Sequence, residues 1–260
     1  MTIKKQGSLA CVGTGMKLGA HISPASRQHI IDADRVFVLV SSGIVEQWIQ
    51  EMNPHVVSLQ GYYKEGKSRL DTYKEMVELI LDSVRQGKKV CAAFYGHPGV
   101  FAWVPHKAIE TARKEGFAAL MEPGISAEDC LYADLGIDPG TYGCQHYEAS
   151  KLLFEKKIID NSSWLIIWQI GVVGDKSLAK FLTGKEYRKI FVDYLSQWYS
   201  YEHQVIIYES ALLAIEKPRI EFIRLIDLIE ADVSLKTTLV IKPTRVAEKN
   251  NELLEKLGRL

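Results

Sequence analysis

Neither sign of charge predominates in this chain of 260 residues: lysine plus arginine and aspartate plus glutamate number 32 each. A balanced chain has no field to draw it to a nucleic-acid backbone or an anionic membrane. Cysteine is sparse. The four, Cys11, Cys91, Cys130 and Cys144, form no Cys-x-x-Cys pair, which excludes a disulfide scaffold and predicts reduced thiols in a cytoplasmic protein. No apolar run approaches the length of a membrane span. The opening "MTIKKQGSLACVGTG" has too short an apolar core for a signal peptide. The seven histidines show no zinc-binding spacing, and neither a P-loop nor a Gly-x-Ser-x-Gly elbow is present. Metal, nucleic acid and membrane are therefore not expected partners.

What the chain does have is alternation. "SLACV", "RVFVLV", "HVVSLQ", "KKVCAAFY" and "FAALMEP" read as strands. Between them lie helices from Pro24 (capped by Ser23), over "GIVEQWIQEM", from about Ser68 to Gly87, and up to Lys114. The long third helix carries a stripe of Leu70, Tyr73, Val77, Ile80, Leu81 and Val84. Continuously apolar strands between helices predict a parallel sheet covered on both faces.

The second half reads differently. "ISAEDCLYADLG" is a helix stopped by Gly136. Then "WLIIWQI", "QVIIYES", "RIEFIRLI" and "TTLVIKP" predict a mixed sheet with antiparallel edges, and a charged amphipathic helix follows Val246. The expected fold class is α/β with two domains, 1–122 and 125–260, hinged at Glu122–Gly124. A ligand cleft is expected between the domains.

Three motifs bear on chemistry. "FYGHPGVFAW" leaves a strand through two glycines and a proline, which describes either a tight turn or a ligand loop at the carboxyl end of a parallel strand. "CVGTGMKLGA" spaces its glycines as G-x-G-x-x-x-G, not the dinucleotide fingerprint G-x-G-x-x-G. The second strand ends in "VSSG" without the acidic residue that NAD binding needs. In "QGYYKEGKSRLDTYKEM", Arg69 and Tyr73 lie four apart and share a helix face, with Tyr62 and Tyr63 just before. An arginine beside phenols lowers the phenol pKa and stabilises developing negative charge. A core-stripe tyrosine and a surface arginine give the structural alternative, and on these residues alone it takes precedence.

In order, "VGTG", "SRLDTY", "YGHPGVF", "EPGISAE", "WQIG", "VIIYES" and "TTLVIKP" resemble the tetrapyrrole methylase superfamily, and within it the borosin peptide α-N-methyltransferases. The resemblance covers the chain from Ser8 to about Leu260 and implies methylation of backbone amides by S-adenosyl-L-methionine, with S-adenosyl-L-homocysteine as product. It implies Arg69, Tyr73, Tyr95 and Tyr63 as active-site residues, with Tyr62 competing with Tyr63 to face the substrate. For the cofactor it implies Tyr95, His97, Val100, Phe101, Ser126, Ala127, Gln169, Ser210, Thr237 and Thr238. Family members are homodimers. A chain ending at "ELLEKLGRL" resembles the split type, which acts on a separate precursor peptide. The rival readings are a tetrapyrrole or other small-molecule methyltransferase, and a non-catalytic module that binds cofactor and peptide.

Overall fold

The computed structural model describes residues 7–40 and 42–259. The N-terminal hexapeptide, Ser41 of "VSSG" and Leu260 lie outside the described residues. Two compact units are present. The first comprises Met1–Gly136, Ser177–Lys180 and Ser210–Pro218, and the second Ile137–Lys176, Phe181–Glu209 and Arg219–Leu260. The Glu122–Gly124 segment falls inside the first unit.

The first unit is built on a parallel sheet of β1 (Ser8–Gly13), β2 (Arg35–Leu39), β3 (Val56–Ser58), β4 (Lys89–Phe94) and β5 (Ala118–Glu122), in the order β3-β2-β4-β1-β5. Alternate residues of each strand serve opposite cores, as the period of two requires. Leu9, Cys11, Phe37, Leu39, Val90, Ala92 and Phe94 pack with helices α3 (Arg69–Arg85) and α4 (Trp103–Lys114). Ala10, Val12, Val36, Val38, Cys91 and Ala93 pack on the other face with α1 (Pro24–Ile31) and α2 (Gly43–Met52). Ser23 caps α1 as expected, accepting the Ser26 N–H at 3.0 Å.

Two elements depart from the sequence pattern. Leu70, placed on the apolar stripe of α3, is 39% exposed, and Thr72 and Met76 are buried in that helix instead. The helix begins at Arg69, so Leu70 lies in its first turn. β5 is an edge strand with Leu120 half exposed. Arg113 Nε donates to the Ala119 carbonyl at 3.0 Å, which blunts that edge against further strand pairing.

The chain after β1 crosses to β2 by α1 on one face, and the chain after β4 crosses to β5 by α4 on the opposite face. β1 and β4 are neighbours, so their carboxyl ends form a topological switch point, the place where open α/β sheets hold ligands. Three turns meet there. The Gly15 and Gly96 amides exchange hydrogen bonds with each other's carbonyls at 3.2 and 3.0 Å. A Cβ on Gly13 would lie 2.5 Å from the Gly96 carbonyl oxygen, and one on Gly124 only 2.3 Å from it.

The second unit has a mixed sheet of β6 (Cys144–Glu148), β7 (Trp164–Trp168), β8 (Gln204–Glu209), β9 (Arg219–Arg224) and β10 (Thr238–Ile241), in the order β6-β7-β10-β8-β9. Only β6 and β7 run parallel, so the β6 edge is parallel and not antiparallel as expected. β6 itself escapes the sequence reading because "CQHYE" is too polar to resemble the other strands. Leu165, Ile167, Val205, Ile207, Leu239 and Ile241 form its core with α7 (Ala149–Phe154) and α8 (Lys185–Leu195). In sequence between the two sheets lie α5 (Ala127–Leu135), closed by a left-handed Gly136, and the single turn α6 (Pro139–Tyr142). The tail carries α9 (Asn251–Leu257), exposed along its length. No helix among the described residues is long and apolar enough to cross a membrane.

The glycine junction predicts a sharp contrast in stability. Gly124→Ala should lower unfolding free energy by about 1–3 kcal/mol, since backbone must move to admit the methyl. Gly43→Ala, with open space around the new Cβ and a helical site, should leave stability unchanged or raise it by up to ~1 kcal/mol. Urea unfolding of both variants checks this; equal effects would contradict it.

Candidate active site

The turn after β4 is held by its own side chains. Gly96 takes φ +63°, a region that suits glycine. His97 Nδ1 accepts the Gly99 N–H at 2.9 Å, which leaves the ring proton on Nε2. His106 Nε2 lies 2.9 Å from the Gly99 carbonyl oxygen, and the Val100 amide donates to the His97 carbonyl at 3.2 Å. Tyr95, Val100 and Phe101 are left 51, 37 and 49% exposed. Large apolar groups on a rigid, irregular turn are poor choices for a bare connection.

Beside this turn, aromatic rings surround Tyr73 of α3. Tyr63 stands edge-on to it with ring centroids 6.2 Å apart, and Trp103, the first residue of α4, stacks on it at 6.2 Å and 21°. Tyr63 is also hydrogen-bonded to Tyr73 and feels the charges of Tyr95 and Arg69. The structure thus brings Tyr63, Arg69, Tyr73 and Tyr95 into one neighbourhood. The Tyr63 ring meets that of Tyr73, and Tyr62 packs against the same core cluster, its main-chain carbonyl accepting the Thr72 hydroxyl at 3.4 Å.

The electrostatics correct one expectation. Burial pushes the Tyr63 phenol well above its ordinary pKa, the Tyr73 charge and hydrogen bond add to that push, and Arg69 pulls it back only in part. Desolvation therefore outweighs the arginine, and Tyr63 is a neutral proton donor at pH 7. Tyr95 is shifted upward too, first by the mass of protein around it and then by Tyr73. The residue is half exposed, and water moderates that shift.

The remaining expected residues divide between the units. Ser126, Ala127 and Ser210 belong to the first. Ser126 caps α5: its hydroxyl donates to Asp129 Oδ2 at 2.7 Å, its amide donates to the same oxygen at 2.7 Å, and its Oγ accepts the Asp129 N–H at 3.3 Å. Its side chain is thus engaged within the fold, and Ala127 opens the helix at the glycine junction. The Ser210 segment is anchored to the loop after β1, where the Leu18 amide donates to the Leu212 carbonyl at 2.9 Å.

Gln169, Thr237 and Thr238 belong to the second unit. The Ile170 amide donates to the Thr237 carbonyl at 3.3 Å, which brings Gln169 and Thr237 together. Thr237 Oγ1 donates to Glu209 Oε1 at 2.5 Å and accepts the Ser234 N–H at 2.7 Å, while Ser234 Oγ donates to the same carboxylate at 3.0 Å. Glu209, Ser234 and Trp103 were not among the expected site residues. Position was the available signal: Glu209 precedes Ser210 at a strand end, and Trp103 follows the turn.

Backbone strain marks the same places. Among the described residues, Phe101, Gln169 and Leu178 are the non-glycine residues with positive φ, at 48, 63 and 54°. Such residues cost about 1–3 kcal/mol each and concentrate at functional sites.

A parallel α/β unit with a glycine-lined switch point and a phenol–arginine cluster beside it is the architecture that comparisons with known proteins address. The family model described as Tetrapyrrole (Corrin/Porphyrin) Methylases matches residues 8–211, and the chain belongs to that family. A curated protein of Gymnopus fusipes, "Methyltransferase/ribosomally synthesized cyclic peptide gymnopeptides precursor gymMA1", is 38% identical over 265 residues, covering 100% of this chain and 63% of its own. The corresponding omphalotin A precursor of Omphalotus olearius is 38% identical over 266 residues, with the same coverage. The lentinulin A precursor of Lentinula edodes is 44% identical over 220 residues, covering 84% of this chain and 52% of its own. The chain therefore spans less than two thirds of these relatives, whose names join a methyltransferase and a precursor. Among solved structures, a diphthine synthase superposes with a TM-score of 0.65 at 16% identity, covering 96% of this chain and 95% of that one. A cobalt precorrin-4 methyltransferase gives 0.63 at 15%, covering 90 and 94%. At these identities the likeness is one of fold.

The raised Tyr63 pKa predicts an alkaline effect. Below about pH 10 both folded and unfolded chains keep the proton, and no stability is at stake. Above it the unfolded chain ionises first, so stability falls as pH rises. Tyr63→Phe should make that fall shallower, read as the urea midpoint against pH from neutrality upward; an unchanged slope would contradict the assignment.

Proposed function

We propose that the protein transfers a methyl group from S-adenosyl-L-methionine to backbone amide nitrogens of a ribosomally made precursor peptide. The observation that carries the reading is the convergence of Tyr63, Tyr73, Tyr95 and the Arg69 charge beside the turn at the switch point. The names of relatives 38% identical, which pair a methyltransferase with a cyclic-peptide precursor, support the acceptor class.

The residues present fit the cofactor. The packed glycine junction fixes the main chain of the turn, and the exposed Tyr95, Val100 and Phe101 offer apolar faces to a nucleoside and a thioether. Tyr95, His97, Val100, Phe101, Ser126, Ala127 and Ser210 of the first unit would hold it. Because the Ser126 hydroxyl is already engaged, its share would be positional. When bound, S-adenosyl-L-methionine supplies an electrophilic methyl group on a sulfonium.

An amide nitrogen is a weak nucleophile because its lone pair is delocalised into the carbonyl. The chain's own residues must therefore remove the N–H proton and steady the charge that appears on the carbonyl oxygen. Tyr63 keeps its proton at neutral pH, so it acts as hydrogen-bond donor. In this reading Tyr73, which Tyr63 bonds and Trp103 stacks upon, accepts the amide proton as its phenolate and becomes the phenol. Arg69 supplies the positive charge that stabilises the phenolate and the imidate-like oxygen. Trp103 on one side of Tyr73 and Tyr63 at its edge limit the ring's rotation, which is a positioning contribution.

In this reading the peptide is a separate precursor and the enzyme is a homodimer that binds it as a hetero-complex. Light scattering with and without peptide should show two copies of the chain and a further gain in mass; a monomer in both conditions would remove that part.

The deciding assay incubates the protein with S-adenosyl-L-methionine and a candidate precursor, then fragments peptide and protein by mass spectrometry. Methyl groups on backbone nitrogens of the added peptide support the reading. Methyl groups on the protein chain itself would indicate an attached acceptor, and methylation only of a tetrapyrrole would overturn the peptide assignment. Arg69→Ala and Tyr73→Phe should each lose about 10²–10³-fold in turnover while cofactor affinity by calorimetry stays unchanged. Full turnover in either variant removes that residue from the mechanism.

A further inference from the structure

We propose that Leu178 is a positioning residue: its main-chain carbonyl, turned by a left-handed backbone, fixes the first turn of α3 and through it Arg69. The proposal rests on the reading of Arg69 and Tyr73 given above. Leu178 lies more than 100 positions along the chain from that helix, in the segment Ser177–Lys180 that counts with the first unit.

α3 starts without the usual cap. Ser68 occupies the N-cap position, where serine is a favoured residue, yet its side chain makes no capping hydrogen bond. The first N–H groups of a helix have no partner within it. Here the Arg69 amide donates to the Leu178 carbonyl at 2.8 Å, and the Gly66 amide donates to the Ala179 carbonyl at 3.2 Å. Two successive carbonyls therefore grip both ends of the turn that leads into Arg69.

Leucine is an unfavourable residue for this task. At φ +54° its Cβ crowds the backbone, a conformation that glycine or asparagine adopts more cheaply. Burial does not account for it, because the side chain is 43% exposed. The hydrogen bond does: the left-handed turn directs the carbonyl onto Arg69. Tyr73 shares a helix face with Arg69, so a slip in the first turn displaces the guanidinium and the phenol together. The segment is thus part of the active-site scaffold.

The test uses Leu178→Gly, Leu178→Val and Leu178→Pro in the full chain. Glycine keeps the left-handed conformation; valine and proline disfavour it. The readouts are amide hydrogen exchange over residues 66–72, cofactor affinity and methyl-transfer kcat. Leu178→Gly should retain amide protection and keep kcat within about threefold. Leu178→Val and Leu178→Pro should lose protection and about tenfold or more in kcat, with cofactor affinity unchanged. Should Leu178→Pro fail to fold, the glycine–valine contrast decides alone. Valine as protected and as active as leucine would overturn the proposal. So would a glycine variant that loses kcat as valine does, since the side chain would then be what matters. If the parent methylates no peptide, the proposed function fails, while exchange over 66–72 still decides whether Leu178 holds the turn.

Discussion

The contact on which the structure depends is the junction of Gly13, Gly96 and Gly124 at the carboxyl ends of β1, β4 and β5. A Cβ at Gly13 or Gly124 would fall within 2.5 Å of the Gly96 carbonyl oxygen, so three turns share a space that admits only backbone. That packing sets the direction of the chain leaving β4 and so presents Tyr95, Val100 and Phe101 at the strand ends. It also joins the start of α5 to the same point, which is why Ser126 and Ala127 lie near a turn some 30 positions earlier in the chain. The switch point follows from topology, and the glycines make it usable.

The chemistry beside that junction is a contest between desolvation and charge. An arginine next to phenols suggests easily ionised tyrosines. In the folded chain burial is the largest influence on Tyr63, and it leaves that residue protonated. The cluster is therefore not a set of equivalent bases. One phenol donates, another is clamped between aromatic rings, and a cation is held close by a helix turn that the distant Leu178 carbonyl caps. The proposed amide methylation rests on that inequality between the phenols.

Much of the fold was legible in the chain. Strands with continuous apolar character predicted the doubly covered parallel sheet, and Ser23, Gly136 and the apolar stripe from Tyr73 to Val84 placed three helices closely. β6 was not legible, since an edge strand with the sequence "CQHYE" has only local pairing to distinguish it. Leu70 misled because a helix stripe says which face is apolar, and not how far along the helix that face is covered. The candidate site was legible through glycines and motif order. Trp103, Glu209 and Leu178 were not, since a stacking partner, a half-buried carboxylate and a backbone cap depend on contacts distant in sequence.

The most direct test of the account is a structure of the protein with S-adenosyl-L-homocysteine bound. The account predicts the sulfur against the turn from Tyr95 to Phe101, with the Tyr73 hydroxyl and the Arg69 guanidinium facing the space beyond it. A ligand seated away from the carboxyl ends of β1 and β4, or Arg69 and Tyr73 turned from its sulfur, would contradict it.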